Sequence, residues 1–435
     1  MREAGAPGTG CAMTSESSCF VYLQMPGALE VVTCGRFVLT PLARGKGRGR
    51  GQFVYGRSYR SRADALPIDP ISLPITSEAF ETVKLGGVFG ALRDASPDAW
   101  GRLAIERVLG RSEPNEVELF LRSPEDRAGA LSFGLEPTPP SPVRDFNRII
   151  QLAELREAAR IIEEGAPTEQ VREQVRRIFQ PTTSMGGARP KNTVEDEAGL
   201  WVTKFPARGD RWNNAAVEAA MLSLAGRCEI RVPELRIERL GNESILLLRR
   251  FDREKVGGGY HRHRMASALT MLRADDTAVD RGNWSYLLLA DELQRWSSRP
   301  GADKAELYRR VVFNALISNN DDHLRNHAVL AAGRDWRLAP AYDLTPNPQS
   351  EVQERALALV CGHHGRVACR ENLLSAAPRF GLNTEEAKAV IDRTAGVILN
   401  RWRSEVFAYG GSERDCELIA PAFLHAGFEY PVERG

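Results

Sequence analysis

Between residues 319 and 330 the chain reads NNDDHLRNHAVL, with two Asp, two His and three Asn crowded between segments that should be buried. The preceding AELYRRVVFNALIS carries apolar residues at helical spacing, and the following AVL and AAGRDWRL read as two short strands joined by a turn. Burying so many polar groups is costly unless each finds a partner, which makes this stretch the first candidate for a site. Asp321 and Asn326 lie five residues apart, and Asp343 follows seventeen residues after Asn326 in WRLAPAYDLTP, flanked by Tyr342 and Leu344. Asp and Asn oxygens are the hard ligands that Mg²⁺ takes, with water and phosphate completing its shell, so Asn326 and Asp343 are the metal candidates. Asp321 is the candidate to accept a proton from an attacking hydroxyl. Read without that chemistry, Asp321, Asp322 and Asn326 cap a helix and shape a turn.

The same Asp-to-Asn offset occurs in the catalytic loop of protein kinases, where one tight loop aims both side chains at one phosphate. That chemistry needs a strand lysine for the α/β-phosphates and a helical glutamate to hold it, both upstream. GLWVTKFPA is strand-like and carries Lys204 on the face of Val202; NNAAVEAAMLSLAG is helical, with Glu218 beside the apolar Val217, Met221 and Leu224. Singly, Lys204 reads as a snorkelling edge lysine and Glu218 as a solvated helix residue; their order along the chain argues for the pair. Further upstream, residues 182–192 read TTSMGGARPKN. Gly186 and Gly187, followed by Ala188, let the backbone approach phosphate oxygens, and Arg189 and Lys191 add positive charge. The hydroxyls of Thr182, Thr183 and Ser184 would sit near a γ-phosphate, which suggests self-phosphorylation. Downstream, SILLLRRFDRE runs from a buried strand into Arg250, Phe251 and Asp252. A hinge of this kind holds adenine by backbone groups, with Phe251 against the ring and Asp252 near the ribose; a strand end with a surface Asp fits the same residues.

The elements that must position these groups fall into successive parts: a disordered leader over 1–18, a β-rich domain over 19–142, an α/β nucleotide-binding lobe over 143–250 and a helical catalytic lobe over 251–435. In the first domain, CFVYLQM, LEVVTCGRFVLTPL and GQFVYG alternate as strands, and RDASPDAWGRLAIERVLG predicts a helix with Ser96 as N-cap and Pro97 at its first position. The Pro-rich PTPPSPV marks a boundary. Leu152, Leu155, Ala159 and Ile162 share one face of an amphipathic helix. Beyond about residue 262 nearly everything reads as helix, including Tyr286, Leu289, Ala290 and Leu293 at helical spacing and a capping box at Asn383 and Glu386. The predicted fold class is α+β: a protein-kinase-like two-lobed core with an N-terminal β-rich α/β subdomain and a helical C-terminal lobe.

Composition narrows the alternatives. A chain of 435 residues with 43% hydrophobic and 26% charged residues is an ordinary globular protein, and a net charge of +1 singles out no partner. Seven Cys without a framework fit reduced thiols in a cytoplasm, and neither a secretory signal nor a membrane span is expected. His323 and His327 at i, i+4 could hold the metal of a hydrolase, but HAVL reads as strand, so His323 is assigned to bracing the catalytic loop. CGHHGRVAC lacks the paired spacing of a zinc site. Residues 44–62 carry seven basic residues with Phe53, Tyr55 and Tyr59, and read either as a single-stranded nucleic-acid surface or as a solvated hairpin. A kinase fold that transfers nothing and acts as a scaffold, and a small-molecule kinase, are the competing functions.

Taken together, TSMGGARPK, VTKF, RRFDR, NALISNNDDHLRNH and LAPAYDLTP resemble the motif series of the HipA-type serine/threonine kinases, the toxin side of type II toxin–antitoxin modules. GGVFGALRDASPDAWGR and EDRAGALSF resemble segments of that family's first domain. The resemblance spans roughly residues 20–410. It implies an ATP- and Mg²⁺-dependent kinase with Asp321 as catalytic base, Asn326 and Asp343 on Mg²⁺, Lys204 and Lys191 on the phosphates, and Phe251 and Asp252 lining the nucleotide site. It further implies autophosphorylation at Ser184 and a protein substrate, aminoacyl-tRNA synthetases being among the family's targets. It also implies a helix-turn-helix antitoxin of the HipB type as partner, with DNA reached only through it. Two departures stand out: RMASALTML replaces a QED-like helix start found in some members, and Arg325 replaces the family's usual Lys before the Mg²⁺ Asn.

Overall fold

The computed structural model describes residues 17–42, 49–110, 112–123, 125–141, 146–165, 189–348, 355–430 and 432. Alternating apolar residues build a first antiparallel sheet from β1 (Ser18–Gln24), β2 (Val31–Pro41), β3 (Gly49–Tyr55), β4 (Phe80–Thr82) and β5 (Leu131–Gly134), in the order β4-β3-β2-β1-β5. Phe37, Phe53, Phe89, Phe120 and Phe133 interlock in its core. Phe53, Tyr55 and Tyr59 are buried there, and the Tyr55 and Tyr59 hydroxyls bond to backbone groups. None of the three is available to stack on a nucleic-acid base; Arg44, Lys46 and Arg48 of this stretch lie outside the described residues.

Helices α1 (Ala99–Leu109) and α2 (Glu116–Arg122) complete this domain, and α3 (Leu152–Glu164) follows with Leu152, Leu155, Ala159 and Ile162 buried on one face as the periodicity predicts. The N-cap of α1 is Asp98, not Ser96: its Oδ1 accepts from Gly101 N at 2.9 Å. Ser96 Oγ instead accepts from Arg102. Two capping residues stood one proline apart, and local sequence alone does not choose between them.

The small lobe is a four-stranded antiparallel sheet with a helix inserted in chain order: β6 (Lys191–Glu195), β7 (Leu200–Lys204), α4 (Asn214–Arg227), β8 (Leu235–Leu240) and β9 (Glu243–Arg249), arranged β6-β7-β9-β8. One face of this sheet (Val194, Trp201, Ile245, Leu247) packs on Trp100 of α1 and on α3, and the other, through Leu246 and Leu248, joins α4 and the large lobe in one core. The large lobe carries β10 (Arg253–Val256), β11 (Gly259–Arg262), β12 (Arg264–Ser267), α5 (Tyr286–Trp296), α6 (Pro300–Leu316), β13 (Ala328–Ala331), β14 (Arg337–Leu338) and α7 (Thr384–Ala408). It is less helical than predicted. The two short strands expected over AVL and AAGRDWRL form as β13 and β14, but β12 joins them in a small sheet where helix was expected, and the described residues between 339 and 369 carry no helix. Pro340, Pro346 and Pro348 deny that stretch the N–H groups a helix needs. The fold is thus α+β and two-lobed with an added N-terminal domain, and among the described residues no helix is long and apolar enough to cross a membrane.

Candidate active site

Lys204 ends β7 with Lys191 as its cross-strand neighbour on β6, so the hairpin delivers two ammonium groups to one end of the sheet. Asn213 caps α4 by accepting from Ala216 N, and the first turns of that helix carry Glu218 into the interior. Lys204 Nζ lies 2.6 Å from Glu218 Oε1 and 2.6 Å from Asp343 Oδ1. The lysine of the small lobe and the carboxylate that follows β14 in the large lobe therefore meet in one cleft. Burial alone would lower the Lys204 pKa, but Asp343 and then Glu218 outweigh it and hold the ammonium above its ordinary range. Burial likewise pushes Asp343 up, and Lys204 followed by Lys191 outweighs it, keeping that carboxyl below the usual value. Glu218, with the same lysine shared, is pushed up by its burial.

On the opposite wall, α6 ends at Leu316 and the chain turns through Ser318 at φ 54° into the polar loop. The two adjacent aspartates part company here. Asp322 is buried, its Oδ2 accepting from the Tyr286 hydroxyl and lying 2.6 Å from His327 Nε2. Asp321 faces out, lining a cavity of about 410 Å³ together with His323, Arg325 and Asp98. Burial of its surroundings raises the Asp321 pKa against the pull of His323, and Asp343 adds to the rise. His323 precedes the short 3₁₀ turn Leu324–Asn326; its backbone N–H donates to Asp321 O at 2.9 Å, a bond any residue could make there, and its imidazole Nδ1 is buried without a partner. Asn326 Nδ2 donates to Asp321 O at 3.3 Å, while its Oδ1 is buried without a partner. Asp343 holds a φ of 61°, in the left-handed region that Asp tolerates better than most residues. An unsatisfied amide oxygen and a neighbouring carboxylate, both hard oxygen donors, fit a Mg²⁺ ion.

The metal-hydrolase and zinc readings find no support among the described residues, where no three His, Cys, Asp or Glu side chains gather as a metal site. His327 leads directly into strand β13, so the i, i+4 helix those ligands require is not formed. Cys361 Sγ bonds instead to the carbonyls of Gly365 and Val367.

The hinge departs from expectation. Asp252 is 0% exposed, and its carboxylate accepts from Arg250 Nε (3.0 Å), Arg250 Nη2 (2.9 Å), Arg253 Nη1 (2.8 Å) and Gly129 N (2.9 Å). Arg250 also binds Asp126 and the Arg127 carbonyl. Asp252 and Arg250 therefore do not line the cleft; they clamp the hinge to the first domain. Gly129 serves this clamp at φ 74°, where an added Cβ would also crowd Met265 at 3.3 Å. Phe251 is half-buried, packed beside Met265 and stacked on Tyr342 with ring centroids 5.7 Å apart.

Lys191 pairs with Asp98 of the first domain at 2.6 Å, and Arg189 makes a bidentate pair with Asp210 at 2.8 and 2.9 Å. Ser184, Gly186, Gly187 and Ala188 lie outside the described residues. Sequence reasoning missed Asp94, Asp98 and Tyr342. Asp98 had a signal of its own, as a capping residue before an apolar helix. Asp94 had none, because its partners stand more than 170 residues away.

Comparison with known proteins agrees with this fold. Residues 183–402 match the family model of the HipA-like C-terminal domain, and residues 30–134 match that of the HipA N-terminal domain. The protein named "Putative kinase Y4mE" from Sinorhizobium fredii (strain NBRC 101917 / NGR234) is 25% identical over 319 residues, covering 67% of this chain and 71% of that protein. "Putative kinase Y4dM" of the same organism is 32% identical over 165 residues, covering 35% of this chain and 38% of its own length. Among solved structures, the HipA toxin–antitoxin complex of Shewanella oneidensis MR-1, which includes HipB and operator DNA, superposes with a TM-score of 0.62 at 17% identity, covering 93% of this chain and 94% of that one. The architecture is shared over nearly the whole length.

Proposed function

This chain belongs to the HipA family, and from that premise we propose that it is an ATP- and Mg²⁺-dependent serine/threonine protein kinase of the cytoplasm. The observation that carries the reading is Lys204 Nζ, 2.6 Å from both Glu218 and Asp343, carboxylates that arrive from different lobes. An ammonium has three donors; two are committed here, and the third is left for a phosphate oxygen. Asn326 and Asp343 would hold Mg²⁺, which when bound neutralises charge on the β- and γ-phosphates. Half-buried Phe251 offers an apolar surface for the base beside the hinge, with the buried Tyr342 ring packed behind it. Asp321 takes the proton of an incoming Ser or Thr hydroxyl as its oxygen bonds to the γ-phosphorus. The bond from that phosphorus to the β–γ bridging oxygen breaks, and ADP leaves with the electron pair. His323 keeps the Asp321 backbone in place for this transfer.

The acceptor is a protein, an aminoacyl-tRNA synthetase being one class to test, and Ser184 is the site of self-modification. A helix-turn-helix antitoxin is the proposed partner, in keeping with the HipB and operator DNA of the Shewanella complex, and DNA is contacted through it. In this division of labour residues 19–142 dock against the kinase core, 143–250 bind the nucleotide and 251–435 carry the catalytic loop. The test is incorporation of γ-labelled phosphate with Mg²⁺, followed by mass spectrometry at Ser184. Label on the wild type and none on Asp321→Asn is expected. Equal label on both, or no label on the wild type although it binds ATP, would overturn the reading, the second outcome in favour of a silent scaffold.

A further inference from the structure

Asp94 and Asp98 leave the first domain four residues apart and reach opposite lobes of the kinase core. Asp98 accepts from Lys191 Nζ of β6 at 2.6 Å, with the two side chains 7% and 2% exposed. Asp94 accepts from Ser267 N at 2.7 Å, Ser267 Oγ at 2.6 Å and Thr270 Oγ1 at 2.7 Å, where β12 of the large lobe passes into a helical turn. The segment between them is braced from behind. Arg93 and Arg102 both bind Glu116, Arg102 also reaches Ser96 Oγ, and Pro97 fixes one backbone angle. Trp100 Nε1 donates to the Lys191 carbonyl at 3.2 Å, so α1 holds both ends of that lysine. Lys191 in turn neighbours Lys204 across the hairpin, and Asp98 shares the cavity of Asp321 and His323.

We propose that Asp98 is a positioning residue for phosphoryl transfer: it fixes the Lys191 ammonium at the phosphate end of the cleft, while Asp94 anchors the same turn to the other lobe and so sets their spacing. The proposal rests on the kinase reading above. The competing role, a plain helix cap, is separable, because Asn caps a helix as well as Asp does but carries no charge for Lys191.

The experiment is steady-state kinetics on the full chain with ATP varied and Mg²⁺ saturating, together with thermal midpoints. Asp98→Asn is expected to raise KM for ATP about tenfold in the folded protein, the size of a lost hydrogen bond to a charged group, with kcat changed less than about threefold and the midpoint lowered, since a buried ion pair is broken. Lys191→Met should raise KM similarly, and the double variant should be no worse than Lys191→Met alone. A KM within about twofold of wild type in the folded variant would overturn the assignment, as would losses that multiply in the double variant. Should Asp98→Asn fail to fold, Asp98→Ser supplies the same test, keeping a cap oxygen that cannot reach Lys191. Wild type that transfers phosphate beside an Asp98→Asn with wild-type KM removes this proposal alone; wild type that neither binds Mg·ATP nor transfers removes the kinase reading and this with it.

Discussion

At the hinge, Arg250 and Arg253 meet Asp126 and Asp252, two cations for two anions, and both oxygens of the Asp252 carboxylate are already taken. In the cleft, Lys204 and Lys191 share Glu218, Asp343 and Asp98, and Arg325 of the same cavity is spent on Asp276, so that among the described residues the exposed Asp321 makes no ion pair. The hinge is electrically closed and the cleft is short of positive charge. Burial, aided in each case by the Asp343 charge, raises the pKa of Glu218, Asp98 and Asp321, as an uncompensated excess of anions should. The cleft also keeps an unpartnered Asn326 oxygen where the hinge leaves its carboxylate saturated. A divalent cation would balance the cleft and has nothing to offer the hinge. Saturation, more than the presence of charge, separates the scaffold from the site.

The comparison breaks most visibly if the two clusters are exchanged in role by mutation. Asp321→Asn should lower kcat about 10²–10⁴-fold as the base is lost, with the binding of Mg·ATP and the unfolding midpoint nearly unchanged. Phosphate incorporation and calorimetric titration on the same preparation check both halves. Asp252→Asn should do the reverse. Removing one partner of a buried ion pair costs about 3–5 kcal/mol in urea unfolding, while KM for ATP in the folded fraction stays close to wild type. A large KM change in a fully folded Asp252→Asn would return Asp252 to the nucleotide site and end the distinction.

Acid sharpens the same contrast. The Arg250 and Arg253 guanidiniums outweigh burial and hold the Asp252 carboxyl well below the usual carboxylate range. A depressed native pKa stabilises the fold above the unfolded value of about 3.9 and loses that contribution as pH falls toward the native value. Urea midpoints followed from pH 7 to pH 3 should therefore fall more steeply for wild type than for Asp252→Asn, with the gap closing at the acid end. Parallel curves would mean that the hinge clamp contributes no net charge stabilisation.

The parts of the site legible in the sequence are those whose geometry is local. One loop fixes Asp321 against Asn326, one hairpin fixes Lys191 against Lys204, and one capped helix turns Glu218 inward, so residue spacing carries them. Asp252 was misread because the residues that bury it, Asp126 and Gly129, come from the first domain, 123 positions away in the case of Gly129. An Asp after a strand looks exposed until another domain closes over it. The same long-range docking hid Asp94 and gave the cap of α1 to Ser96: Asp98 serves Gly101 and Lys191 at once, and only the folded chain brings that lysine near. The sheets, the amphipathic α3 and the kinase-like order of elements followed from pattern alone. The prolines that break the large lobe into loops were visible but were outweighed by the apolar residues around them.

A smaller effect tests where the cleft ends. Glu218→Gln leaves Lys204 with Asp343 as its sole charged acceptor, and the loss of one charge-assisted hydrogen bond should raise KM for ATP about tenfold. Arg189→Ala is the weaker case. Its guanidinium follows the Gly-rich segment and was expected on a phosphate, yet both arms are spent on Asp210, and Asp210 Oδ2 also accepts from Ala207 N at 3.0 Å. By the saturation criterion Arg189 belongs with the hinge and not with the cleft, although it stands at the rim. Its replacement should change KM for ATP by less than about threefold, with a stability loss of about 1 kcal/mol for this half-buried pair at the rim. A tenfold rise instead would mean that Arg189 leaves Asp210 when nucleotide arrives, and that a satisfied ion pair at this rim is a resting state rather than a boundary of the site.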